Sequence, residues 1–283
     1  MLRSRGGLLG LGPSGGAICG GLYAGNARLS AGNPVEFAFP PHRIAVNVPD
    51  RAQLLAEAAR RFAAGEGFAL ATINLDHLVK LRRDPVFAAA YAAQDLVVAD
   101  GNPVVWLSRL ARRPVALVPG SEMVEPLARA AAEAGVTVAL IGATSEALAA
   151  AAGVLNARVP GLRIVAQIAP PMGLDPDGPE AARILAQLGA SGARLAFLAL
   201  GAPKQERLAA RGRTVLPAVG FASIGAGLDF LAGTQRRAPV WVRAIAMEWL
   251  WRMLSSPRRL ARRYAECALI LPVEAVKAWS QRR

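Results

Sequence analysis

The sequence predicts an α/β fold: a Rossmann-like, mostly parallel sheet with helices on both faces, followed by a C-terminal helical, arginine-rich appendage. Three observations carry this expectation. Short apolar runs alternate with helix-length amphipathic segments through the middle of the chain, the pattern of repeated βαβ units. Those runs are apolar almost throughout, as strands covered on both sheet faces must be. Beyond about residue 236 the strand pattern stops and arginines recur three or four residues apart. With 283 residues, 53% of them hydrophobic, the chain can fill one large domain or two small ones. The expected organisation is a disordered leader or over-called start over 1–40, the α/β domain over 41–235 and the appendage over 236–283.

The elements follow in order. The opening "MLRSRGGLLGLGPSGGAICGGLYAGNA" sets two arginines ahead of a mildly apolar region, but its glycines and Pro13 make a poor helix, so a cleaved signal is the lesser reading. "HRIAVNV" reads as the first strand, and Asp50 can cap the helix "RAQLLAEAARRFAAG", which ends at Gly65. "GFALATIN" is a second strand followed by helix through Leu81, and "DLVVADGNP" is a strand running into the helix "VVWLSRLARR". Next come "VTVALIGATS" with a helix from Ser145 to about Val159, and "RIVAQIAPPMG" with the helix "PEAARILAQLGA". "ARLAFLALGAPKQ" leads to the helix "ERLAARG", and "AVGFASIGAG" closes the series. The remainder reads as two or three helices, with Pro239 and Pro257 as starts or breaks. No run reaches the roughly 18 apolar residues that a membrane-crossing helix needs.

Charge and cysteine content narrow the function classes. Among 33 basic residues only Lys80, Lys204 and Lys277 are not arginine. From Arg236 onward, eleven basic residues face only Glu248, Glu266 and Glu274, a net of +8 within the +13 of the whole chain. Such a tail expects an anionic partner: nucleic acid, anionic lipid or a phosphorylated substrate. Cys19 and Cys267 form no disulfide framework or metal-ligand spacing, which fits a reduced, cytoplasmic setting, and His42 and His77 cannot build a His-rich metal site.

In an open α/β sheet, ligands bind at the carboxyl ends of the strands, here the loops "TINLD", "ADGNP", "IGATS", "PPMGLDPDG", "LGAPKQE" and "IGAGLD". Thr72 and Asn74 leave one strand end, where Asn74 or Asp76 could equally cap the next helix. Asp100 is either half of a simple Asp-Gly turn with Gly101 or a general base, since a carboxylate in a cleft can accept a hydroxyl proton. "DPDG" contains an Asp-x-Asp pair, but Pro176 and Gly178 make it a turn into a helix rather than a metal site. Gly-x-Gly occurs at Gly225 and Gly227 without the full dinucleotide fingerprint, which disfavours a nucleotide-dependent oxidoreductase. "LIGATSEAL" sets Gly142 and other small residues at a helix start, where backbone N–H groups can hold a phosphate or ribose. Lys204 near a helix N-terminus opposes the helix dipole, a cost that a bound anion would offset, leaving Gln205 and Glu206 to bond a base or sugar.

Taken together these loops resemble the WecG/TagA/CpsF glycosyltransferases, glycosyltransferase family 26. The matching features are "TIN" at 72–74, "ADG" at 99–101, "PGSEM" at 119–123, "GAPKQE" at 201–206, "GLDFLAGTQRRAP" at 227–239 and "EWLWRMLSSPRRLARRY" at 248–264. They span roughly residues 43–265. Two features depart from the family-typical form: Glu122 stands where an Asp is usual, and "PMGL" lacks a glycine-aromatic pair.

The resemblance implies an inverting, metal-independent transfer that needs no cofactor. A hexose, N-acetylhexosamine or its uronic acid would pass from a UDP-sugar donor to an undecaprenyl-diphosphate-linked saccharide at the cytoplasmic face of the membrane, in exopolysaccharide or cell-surface polysaccharide synthesis. Asp100 would be the general base, with Thr72 and Asn74 on the donor sugar. Gln205 and its neighbours Gly201, Lys204 and Glu206 would serve the nucleotide, with Gly101, Asn102 and Gly142 completing the donor loops. Arg236 and Arg237 would face the donor, and Arg252, Arg258, Arg259, Arg262 and Arg263 the acceptor diphosphate and an anionic membrane surface.

The chemistry agrees, because a departing UDP without a metal needs arginines and helix N-termini to take its charge. Several basic residues with Trp249, Trp251 and Trp279 suit reversible docking on an anionic surface; the same helix could instead pack on the domain or mediate homo-oligomer contacts. The rival class is a nucleic-acid-binding α/β module using the basic tail, but an RNA-binding signature and an interleaved aromatic platform are missing, and Asp100 and "GAPKQE" would stand idle.

Overall fold

The computed structural model describes residues 33–235, 238–239, 241–242, 248–255 and 257–282. Most of the expected leader therefore lies outside the described residues, but its last part does not. Strand β1 (Glu36–Phe39) pairs antiparallel with β2 (His42–Ala45), Phe37 opposite Ile44. This corrects two expectations. Order begins before residue 40, and the strand in "HRIAVNV" belongs to a separate hairpin rather than to the parallel sheet. The physical signal is a period of two: Val35, Phe37 and Phe39 are buried while Glu36 and Ala38 lie further out, the mark of a strand covered on one face.

Helix α1 (Arg51–Ala64) starts where Asp50 accepts the Gln53 N–H at 2.8 Å, and stops at Gly65, whose φ of 73° suits a residue without a Cβ. The main sheet has six parallel strands: β3 (Phe68–Ile73), β4 (Leu96–Ala99), β5 (Thr137–Gly142), β6 (Arg163–Ile168), β7 (Leu195–Ala199) and β8 (Gly220–Ser223). Their spatial order is β4-β3-β8-β7-β5-β6. Helices α2 (Leu75–Leu81) and α3 (Pro85–Ala92) join β3 to β4. Helix α4 (Asn102–Leu110), a 3-10 turn (Gly120–Glu122) and α5 (Val124–Glu133) lead to β5. Then α6 (Ser145–Arg158), α7 (Pro179–Ala190) and α8 (Lys204–Val215) follow β5, β6 and β7, and α9 (Gly227–Ala232) follows β8.

The core forms two layers about this sheet. Phe68, Leu70, Val138, Leu140 and Phe197 point to the face covered by α1, α5 and α6 through Leu54, Leu127 and Leu148. On the opposite face, Ala71, Ile73, Val97 and Ala99 meet the hairpin and α2 to α4. Ala139, Ile141, Ala196, Leu198 and Phe221 meet α7 and α8 on that same face. Strands apolar on both sides are the consequence. The helix expected as "ERLAARG" is longer at both ends, beginning at Lys204. Helix α7 begins at Pro179 with Gly178 as its cap, and the adjacent Asp177 is ion-paired with Arg207.

The expected C-terminal helical appendage is present, and it is built onto the domain rather than standing off it. Helix α10 (Glu248–Ser255) precedes α11 (Pro257–Ser280), and α11 packs on α2 and α4. Cys267 and Ala278 are buried in the core, with Ile270, Leu271 and Ala275 against it. Glu274, 2% exposed, is ion-paired with Arg82, and Arg83 reaches Glu266 at 3.1 Å. Arginine spacing draws the eye to the charged face of this helix; the positions 267, 270/271, 274/275 and 278 are its inward face, at helical spacing. Removing the whole tail would strip the domain's own core.

Candidate active site

Adjacent strands β3 and β8 send their chains to opposite faces of the sheet: α2 leaves β3 on the side of Ile73, and α9 leaves β8 towards α6. The carboxyl ends at such a switch point frame a crevice. Asn74 turns the chain there, its side-chain oxygen accepting the His77 N–H at 3.1 Å and capping α2. The Asp100 N–H donates to Ile73 O at 2.7 Å, which carries the β3–β4 ladder one step past the strands and sets Asp100 beside Asn74. Gly101 follows with φ 127°, a conformation L side chains rarely adopt, and a Cβ on it would lie 3.7 Å from the Asn74 Cβ. Asn102 is then the first residue of α4.

The stretch "PGSEM" crosses these ends. The Val118 N–H donates to Ala99 O at 2.8 Å, returning the chain to β4. Gly120 then seats on Thr72: a Cβ there would come within 3.0 Å of the Thr72 Cγ2 and 3.3 Å of the Ile224 Cα. Thr72 is buried beneath it, whereas Asp100, Gly101 and Asn102 are half-exposed. Asp100, Thr72, Asn74, Gly101 and Asn102 are thus brought together. Gly201 and Gly142 continue the same rim at the ends of β7 and β5, Gly142 within touching distance of the Ala199 carbonyl. Neighbouring strands are about 4.8 Å apart, so the rim from Asp100 to Gly142 is about 19 Å long. Lys204 opens α8 there, half-exposed.

Gln205 and Glu206 do something the sequence reading did not anticipate. They are turned inward, 2% and 0% exposed. The Gln205 Oε1 accepts the Gly225 N–H at 3.2 Å, and its Nε2 donates to the Glu206 Oε1 at 2.9 Å, tying the β7 loop to the β8 loop. Lys80 reinforces this by donating to Ala202 O at 3.1 Å while ion-paired with Asp76 at 2.9 Å. Behind the crevice the His77 Nδ1 lies 3.2 Å from the buried Tyr91 hydroxyl, a pair that sequence reasoning missed because its members stand on different helices.

Burial dominates the electrostatics. It pushes Glu206 up to about 7 and His77 down to about 3. Tyr91 is raised by burial first, then by the charges of Glu206 and Asp100, which places both carboxyls within electrostatic reach of its hydroxyl.

Two slopes in stability follow. His77 has a folded pKa below its ordinary 6.5, so its contribution is complete above that pH and is lost as pH falls towards about 3. Glu206 has a folded pKa above its ordinary 4.5, so its contribution is present below that pH and is lost as pH rises through about 7. Between these ordinary values the slopes oppose, each at most about 1.4 kcal/mol per pH unit. Unfolding free energy should therefore change little between about pH 4.5 and 6.5 in the native chain. Glu206→Gln should unmask the His77 slope, with stability rising with pH in urea titrations; a flat profile in that variant would contradict the assignment.

The arginines divide into three groups. Arg263 pairs with Asp76 at 2.8 Å, holding α11 to the first turn of α2 just behind Asn74. Arg258 and Arg262 on the same helix are exposed, Arg262 pairing with Glu266 at 3.2 Å. Arg236 and Arg237 lie outside the described residues, as do the side chains of Arg252, Arg259 and Trp249. In "DPDG" the Asp175 Oδ1 accepts the Asp177 N–H at 3.1 Å, and Asp177 is taken by Arg207, so these carboxylates are used in a turn.

The family model described as "Glycosyl transferase WecG/TagA/CpsF family" matches residues 41–283, covering all the loops of the rim and α11.

Proposed function

The chain belongs to the WecG/TagA/CpsF glycosyltransferase family, and from that premise we propose that it moves a sugar from a UDP-sugar to a polyprenyl-diphosphate-linked saccharide, with inversion and without a metal. The observation that carries this reading is Asp100, half-exposed at the end of β4 beside Asn74. In the proposed step the Asp100 carboxylate takes the proton of the acceptor hydroxyl. The freed oxygen bonds the anomeric carbon, the bond from that carbon to the diphosphate oxygen breaks, and UDP leaves with the electron pair. Asn74 would orient the sugar, and Thr72 would support the surface from beneath Gly120. The backbone at Gly142, Gly201 and the α8 start, with Lys204, would receive the diphosphate. Arg236, Arg237 and Arg252 are the proposed cations over it.

Screening UDP-sugars against a lipid-diphosphate acceptor, with the anomeric configuration of the product read by NMR, tests the reading directly. Tight oligonucleotide binding at physiological salt, with none for UDP-sugars, would instead favour the nucleic-acid class.

The proposed place of work is the inner face of the cell membrane. Among the described residues no helix is long and apolar enough to cross a membrane. Leu269, Val273, Val276 and Trp279 are exposed on α11, which also carries the exposed Arg258 and Arg262, and Trp241, Trp251 and Leu254 are exposed just before it. Apolar and basic side chains exposed together suit an anionic lipid surface. Because each basic residue near such a surface contributes about 1 kcal/mol, reversing both charges in Arg258→Glu with Arg262→Glu should weaken vesicle binding by more than about tenfold. Co-sedimentation with phosphatidylglycerol vesicles reads this; unchanged binding would remove these two residues from the contact. Point changes are the right tool, since truncation would also remove the core contacts of α11.

A further inference from the structure

We propose that Glu206 is a positioning residue: its carboxyl fixes the side-chain amide of Gln205, and through it the turn at Gly225, so that the β7 and β8 loops present one donor-binding surface. The donor half of this statement rests on the UDP-sugar reading; the positioning half does not.

A backbone N–H can only donate, so the Gly225 N–H must face the oxygen end of the Gln205 amide, as it does at 3.2 Å. That leaves the NH2 end for Glu206, which receives it at 2.9 Å in a fully buried setting. An acceptor at position 206 is therefore what keeps the amide from turning over. Glu206 is itself held, its backbone oxygen accepting from the Gln94 Nε2 at 3.0 Å. Its second oxygen, Oε2, is buried with no hydrogen-bond partner among the described residues, an expensive arrangement to keep without a return. Gly225 meanwhile has φ 57° and open space where a Cβ would stand, so no side-chain packing wedges it in place. Backbone bonds fix its neighbours, the Ile224 N–H donating to Leu198 O at 3.0 Å and the Gly227 N–H to Ile224 O at 3.2 Å, while the Gly225 N–H itself is held by the clasp.

The charge on Glu206 then acts on the loop. Burial lifts the group to about 7. The groups facing it are Gln205 on its own helix, Lys80 on α2 and Tyr91 on α3, with Asp100 within electrostatic reach of Tyr91 and neutral His77 against the Tyr91 hydroxyl. As a carboxylate, Glu206 is the stronger acceptor for the Gln205 NH2. Once protonated, its own O–H can compete for the Gln205 oxygen and release Gly225. The clasp is expected to tighten as pH rises through about 7.

The test is amide hydrogen exchange at Gly225 in the full, ligand-free chain at pH 6 and pH 8, corrected for intrinsic exchange, in the native protein, Glu206→Gln and Glu206→Ala. Dissociation constants for UDP-glucose and UDP-N-acetylglucosamine are measured on the same samples. Protection at Gly225 should fall about fivefold in Glu206→Ala, the worth of one hydrogen bond. In the native chain it should rise severalfold from pH 6 to pH 8, and in Glu206→Gln it should not respond to pH. UDP-sugar affinity should follow protection, with kcat changing less than KM. Equal exchange in all three proteins overturns the proposal, and so does lost protection with unchanged UDP-sugar affinity. A native chain that shows the pH-dependent protection but binds neither UDP-sugar refutes the UDP reading and upholds the clasp. Should Glu206→Ala fail to fold, the pH response of the near-isosteric Glu206→Gln decides.

Discussion

Asp100→Asn should lower the rate of sugar transfer by roughly 10²–10⁴-fold, the usual worth of a positioned proton acceptor, and leave UDP-sugar affinity within about threefold of the native value. The substitution keeps the size and planarity of the side chain and still offers an oxygen, so contacts that merely orient a hydroxyl survive. What is lost is the ability to take up a proton as the hydroxyl attacks. The competing view is that Asp100 only shapes the Asp-Gly turn. The turn, however, is held by the Asp100 backbone N–H on Ile73 O and by the positive φ of Gly101, neither of which depends on the carboxylate. A turn residue would show its loss in thermal stability with turnover preserved; a base shows the reverse. Initial rates with a lipid-diphosphate acceptor, calorimetric UDP-sugar binding and a melting curve on one preparation separate the two. Turnover within a few-fold of native would remove Asp100 from the chemistry.

How much of this site was legible in the sequence depends on what kind of information each residue carries. The strands and the loops after them were readable, because a strand buried on both faces must be apolar and must end where the glycines and polar residues begin. Asp100, Thr72 and Asn74 were placed at the strand ends that way. The order of the strands was not readable, since β3, β7 and β8 look alike as apolar runs and only the crossovers decide which pair. It was therefore invisible that the end of β8 would stand between those of β3 and β7, bringing Gly225 to Gln205. The burial of Gln205 and Glu206 was hidden for a different reason. Long polar side chains suggest solvent or ligand, yet Gln205, Leu208, Ala209 and Gly212 occupy one helical face, and α8 buries it. The signal was present in the spacing and outweighed by residue type. Likewise Asp84 followed by Pro85 marks the start of α3, where Asp84 accepts the Phe87 N–H at 2.9 Å, but the strand-helix alternation passes over this extra helix.

Gly142→Ala is the second large effect, and it joins fold to site. Gly142 ends β5 with φ 117°, and Ala143 follows at φ 54°, so the chain lifts off the sheet through two residues in the left-handed half of backbone space. Thr144 then caps α6, accepting the Ala147 N–H at 3.3 Å. A Cβ on Gly142 would stand 2.4 Å from the Ala199 oxygen and 2.6 Å from the Ala199 carbonyl carbon, atoms of the neighbouring strand that cannot rotate away. Left-handed strain alone costs an alanine about 1–2 kcal/mol, and prying β5 from β7 adds to it. A total of about 4 kcal/mol is expected, which for a domain of this size lowers the melting temperature by roughly 10 °C. Gly153→Ala is the matched control. It lies on α6, has no atom within 4 Å of its would-be Cβ, and should gain about 0.5–1 kcal/mol from helix propensity. Opposite signs at two glycines only eleven positions apart would tie the first loss to the strand contact rather than to glycine content. If Gly142→Ala melts with the native protein, the end of β5 is not seated on β7 as described, and the rim from Asp100 to Gly142 does not form one continuous surface.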